Sequence, residues 1–75
     1  MFDNMKLSEI FIGVETSSEL FQKLNSARDL GVKTIIIDDD ETITLSRLRY
    51  IAAEATDLGY TPKQIYQTLA KYVKK

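Results

Sequence analysis

The sequence predicts an α+β domain on the strength of three features. Two short runs, Val32 to Ile37 and Thr42-Ile43-Thr44, are β-branched at nearly every position and flank the acid run Asp38-Asp39-Asp40-Glu41. Three longer stretches repeat apolar residues every three or four positions, the period of a helix buried on one side. Two of those stretches stop at Gly31 and Gly59, where a left-handed cap is wanted. The expected architecture is a small two- or three-stranded sheet (about 9–14, 32–38 and 41–45), one covering helix (18–30) and a C-terminal helical hairpin (46–58, 62–74).

The segment before Ser17 fits two templates. Leu7, Ile10, Phe11 and Val14 have helical spacing, whereas Ile10, Ile12 and Val14 alternate as in a strand. Gly13 weakens the helix, so a strand over about 9–14 is expected, entering a right-handed crossover to the next strand. From Ser17, read as an N-cap, Leu20, Phe21, Leu24, Ala27 and Leu30 form a helical stripe closed by Gly31. Val32 to Ile37 is too short and stiff for a helix and should be a buried strand. A hairpin about Asp39-Asp40 would set Ile36 beside Ile43 and Asp38 opposite Glu41. That second pair costs stability unless the loop is wider or a cation sits there.

Leu45, Leu48, Ile51, Ala52, Ala55 and Leu58 trace the next stripe, capped by Thr44 or Ser46 and closed by Gly59. Thr61-Pro62-Lys63-Gln64 places a capping threonine, a proline at the first helical position and a glutamine three residues after the cap. Ile65, Tyr66, Leu69, Tyr72 and Val73 supply the buried face of the last helix.

Size and composition narrow the function classes. The chain has 75 residues, read as one domain over 1–75, and a chain this short buries only about 60% of its unfolded surface. It contains neither cysteine nor histidine, which removes disulfide staples, the usual zinc ligands, a thiol nucleophile and a histidine base. Stability must come from apolar packing or from self-association, and a homodimer is expected. The N-terminal residues lack a signal-peptide pattern, and no apolar run approaches the roughly 20 residues of a membrane span. A cytoplasmic protein is expected, with no cofactor, no metal and no small-molecule substrate.

The net charge of −1 hides an asymmetry. Positions 1–44 carry four bases against nine acids and positions 45–75 carry six bases against two acids, giving −5 and +4. Division of this kind points to a partner.

Within the basic half, Ala52 to Ile65 resembles a helix-turn-helix. Ala55, Gly59 and Ile65 match the small crossing residue, the turn glycine and the branched anchor of that motif, with Leu58 and Tyr60 as apolar flanks. The likeness covers about 20 residues, under a third of the chain. It implies a recognition helix over 62–74 whose free face carries Lys63, Gln64, Gln67, Lys71 and Lys74, with Arg47 and Arg49 adding phosphate contacts. Glutamine pairs with adenine through two hydrogen bonds, and lysine reaches guanine or phosphate. DNA is thus the expected partner of a small regulatory protein. The competing reading is an adaptor or inhibitor that works through the acidic half or by self-association.

Asp38-x-Asp40-x-Thr42 after an apolar strand resembles the nucleophile motif of the haloacid dehalogenase superfamily, which would make Asp38 the nucleophile and Asp40 the acid/base. That chemistry also needs a later lysine and a further acidic pair on a larger sheet, and only 33 residues follow Thr42. Glu41 stands where the superfamily usually has glycine. The run therefore reads as a solvated turn that blunts a sheet edge, and no enzyme activity is expected.

Overall fold

The computed structural model describes residues 3–73, with the side chains of residues 72 and 73 outside the description; the expected inward roles of Tyr72 and Val73 fall there. The element order is β1 (Asn4–Lys6), α1 (Leu7–Phe11), α2 (Ser17–Asp29), β2 (Thr34–Asp38), β3 (Glu41–Thr44), α3 (Leu45–Asp57) and α4 (Pro62–Val73). The predicted α+β class is the observed one: a mixed three-stranded sheet, a covering helix and a C-terminal helix pair.

The first strand lies elsewhere than expected. It is residues 4–6, parallel to β2, and most of the 9–14 segment is helix and turn. Leu7 and Ile10 turn inward one helical turn apart, and the Glu9 carboxylate accepts the Lys6 amide at 2.9 Å to start the helix. Ile12, which an alternating strand would bury beside Ile10, is 68% exposed. Gly13 then reverses the chain at φ 70°. Helical period outweighed alternation, and the path from β1 to β2 runs through two helices.

A second correction concerns the start of α2. Thr16, not Ser17, is the N-cap: its Oγ1 accepts the Glu19 amide at 3.2 Å, and the Glu19 carboxylate accepts the Thr16 amide at 3.0 Å. A threonine with glutamate three residues on satisfies two orphan amides at once, which Ser17 has no partner to do. The C-terminal end of α2 is a Schellman turn, with Gly31 N–H donating to Arg28 O and Val32 N–H to Ala27 O, both at 3.0 Å.

The sheet order is β1-β2-β3, with β2 and β3 antiparallel about the two-residue turn Asp39-Asp40. Ile35, not Ile36, faces Ile43, because a bulge between Ile36 and Asp38 inserts one residue into β2. None of the described non-glycine residues has positive φ, so this turn is not of the primed type that matches strand twist. A bulge supplies the missing twist. Asp38 does stand opposite Glu41, as expected, at an exposed strand end.

Register sorts the two sheet faces. Met5, Ile35 and Ile43 form one cross-strand row that packs into the core. The neighbouring rows, Asn4-Thr34-Thr44 and Lys6-Ile36-Thr42, belong to the other face. Among the described residues eleven buried hydrophobic ones form the core, including Leu20 and Leu24 of α2, Leu48 and Ala52 of α3, and Ile65 of α4. Among the described residues no helix is long and apolar enough to cross a membrane.

Two features of the fold give measurable consequences. Thr56 Oγ1 is enclosed and has no hydrogen-bond partner, a desolvation cost that an isosteric methyl removes. Thr56→Val should raise unfolding free energy by about 1 kcal/mol in urea titration. The Glu19 carboxyl is held below its ordinary pKa, first by the amide of Glu15 and then by the amide and hydroxyl of its cap, Thr16. Its contribution is therefore present above the ordinary carboxylate range and is lost as pH falls through and below it. Glu19→Gln should make the melting temperature fall less steeply on acidification than in the parent.

Candidate functional site

The C-terminal hairpin is assembled by its caps. At the end of α3, Gly59 N–H donates to Thr56 O at 3.0 Å and Tyr60 N–H to Ala55 O at 2.9 Å, a Schellman turn with Gly59 at φ 93°. Two residues later Thr61 starts α4. Its Oγ1 accepts the Gln64 amide at 3.2 Å, while Gln64 Oε1 accepts the Thr61 amide at 2.9 Å. The turn thus spends no residue on slack, and the direction of α4 is set by two backbone bonds and two cap bonds from side chains.

Packing then decides which face of α4 is free. Ile65 is buried, Leu69 packs against the core, and Tyr66 meets Phe11 of α1 with ring centroids 5.3 Å apart. Lys63, Gln64, Gln67 and Lys71 consequently face solvent on one side of the helix. Lys74 lies outside the described residues. The Gln64 carbonyl oxygen is occupied by the cap, which leaves its amide nitrogen as the free end. Leu58 and Tyr60, the flanks of the turn glycine, are 77% and 47% exposed.

The two arginines of α3 part company. Arg47 is exposed on the outer side of the helix, where the Tyr50 hydroxyl donates to Glu54 at 3.0 Å. That bond, with the charge of Glu54, pushes the Tyr50 pKa up. Arg49 is half-buried and turns toward α2, its Nη1 donating to Asn25 Oδ1 at 2.7 Å. It lines a cleft with Arg28, Lys33 and Ser46, whereas Lys63 lines a different cleft with Phe11, Ile12 and Tyr66. The six described residues of the sequence-based site are therefore distributed over α4, the outer side of α3 and the α2–α3 cleft.

Arg28, Lys33 and Ser46 were not legible as site residues. Nothing in their local spacing marks them. Only the antiparallel hairpin, which brings the Lys33 carbonyl to the Leu45 amide at 2.9 Å, places Lys33 beside the start of α3. The acid turn has a modest geometry of its own. Asp38 Oδ1 accepts the Asp39 amide at 2.7 Å, and among the described residues no three acidic side chains converge as a metal site would require.

The chain matches no protein-family model, no curated protein and no solved structure.

Apart from Gly59 and its two chain neighbours, no atom lies within 4 Å of where a β-carbon on Gly59 would sit, so substitution there tests backbone conformation alone. Gly59→Ala should cost about 1–2 kcal/mol of stability. Gly59→Asn should cost visibly less in the same denaturation series, because asparagine tolerates the left-handed region.

Proposed function

We propose that this protein is a small DNA-binding regulatory protein that presents α4 to the duplex. The observation that carries the reading is the outward face of α4: Lys63, Gln67 and Lys71 are exposed along one side, and the helix contains no acidic residue. An α-helix of this diameter fits the major groove, where lysine and glutamine meet base edges and phosphates. The Schellman turn and capping box support the same reading, since a recognition helix must be held rigidly at its N-terminal end. Arg47 adds a cation on the preceding helix. In this role Lys63 and Lys71 contact phosphate or guanine, Gln67 reads a base edge, and Gln64 contributes only its free amide nitrogen.

The alternative is self-association. It is favoured by the position of β3 at the edge of the sheet, with acids at its start and the basic first turn of α3 at its end. Antiparallel pairing of two β3 edges would set the acid turn of each copy near the α3 start of the other.

Fluorescence anisotropy with a random-sequence duplex tests the leading reading. Two or three neutralised phosphates predict roughly a 10- to 40-fold loss of affinity between 50 and 200 mM salt. Lys63→Glu combined with Lys71→Glu should abolish binding. Absence of binding at the lower salt, or binding that the double variant retains, would overturn it. Sedimentation velocity at both salt concentrations addresses self-association: a species that stays monomeric throughout excludes it.

A further inference from the structure

We propose that the cleft between the end of α2 and the first turn of α3 binds a small organic phosphate. The cleft has a volume of about 560 Å³, within the range that holds small ligands. Three separate parts of the chain bring a cation to it: Arg28 from the last turn of α2, Lys33 from the residue before β2, and Arg49 from the second turn of α3. No acidic residue lines it. Arg28 has Asp29 as a neighbour at 3.6 Å, but both side chains are more than half exposed, and such a pair is worth little in water.

Arg49 is the pre-organised member. Its hydrogen bond to Asn25 ties one arm of the guanidinium fork and holds the half-buried side chain in place, leaving the other donors of the fork to meet an anion. Much of the ordering cost of binding is thereby met in the free protein. Ser46, exposed in the first turn of α3, adds a hydroxyl.

The rest of the lining is Gly31, Val32, Thr44 and Leu45. Val32 and Leu45, core residues that are 3% and 5% exposed, form part of its wall. Three cations over an apolar wall suit a ligand with two unlike ends: a phosphate held by the arginines and lysine, and an organic body resting on Val32 and Leu45. Like charges gathered around one cleft repel, and a bound dianion relieves that repulsion, so occupancy should also stabilise the fold. The concave shape distinguishes this site from the convex face of α4.

Amide NMR titration with adenosine monophosphate, inorganic phosphate and adenosine tests the proposal. Saturable shifts of Lys33, Leu45 and Ser46 with the nucleotide at millimolar concentration or below, weaker binding of inorganic phosphate and none of adenosine are expected. Lys33→Glu and Arg49→Gln should each weaken nucleotide binding by roughly tenfold or more. Lys33 is exposed, so its variant decides the matter even if Arg49→Gln does not fold. No saturable shift at these amides, equal affinity for inorganic phosphate and the nucleotide, or undiminished binding in Lys33→Glu would each overturn it. The Lys63→Glu/Lys71→Glu variant should bind the nucleotide as the parent does, which separates this site from the duplex-binding face; loss of nucleotide binding there would assign the phosphate to α4 instead.

Discussion

The structure depends on the one-sided burial of β2. Ile35 is fully buried and stands in register with Met5 on one neighbour and Ile43 on the other, so this cross-strand row, with Ile37 beside it, forms the sheet's contribution to the core. The adjoining rows carry asparagine, lysine and threonine around Ile36, and those polar side chains cannot be buried without partners. Every helix that needs cover for its apolar stripe must therefore come to the same side. With eleven buried hydrophobic residues and no buried polar or charged one among those described, the core has no interior polar network to position its parts. Orientation is supplied instead from the helix ends, by the boxes at Thr16 and Thr61 and the Schellman turns at Gly31 and Gly59.

This explains which parts of the fold were legible in the sequence. Caps and stripes are local signals, and where they agreed, as at Thr61-Pro62 and Gly59, the element was found at its observed position. Where two local signals competed the outcome was set by something non-local. Residues 9–14 carry both periods, and the choice fell to the helix because β1 had already taken the edge of β2 through residues 4–6. The bulge in β2 is of the same kind: its cause is the unprimed Asp39-Asp40 turn, and its effect is to exchange Ile36 for Ile35 opposite Ile43. Thr16 was a misread local signal, since Glu19 names its cap three residues upstream.

Charge shows the same division between chain order and space. In sequence the acidic and basic residues separate at the boundary between β3 and α3. In the fold β2 runs from Lys33, just before its start, to Asp38 at its end, roughly 16 Å apart at the usual rise of a strand. The antiparallel return of β3 then delivers the start of α3, with Ser46 and Arg49, to the basic end. Two bases of the acidic half and one of the basic half meet in a single cleft, a grouping that no count along the chain reveals.

Structural duties also redistribute the residues available for recognition. Gln64 looked equivalent to Gln67 on the free face of α4, yet its carbonyl closes the capping box and can no longer accept a hydrogen bond to a base without uncapping the helix. Arg49 looked equivalent to Arg47, yet it is tied to Asn25 and turned toward α2. In both cases a side chain with several donors or acceptors spends one of them on the fold. What remains is narrower and better aimed: an amide donor at the head of α4, and a guanidinium fork fixed over an apolar wall. A chain with so small a core has few rigid platforms to offer, and these two side chains are fixed because they share in the bonds that hold the helices.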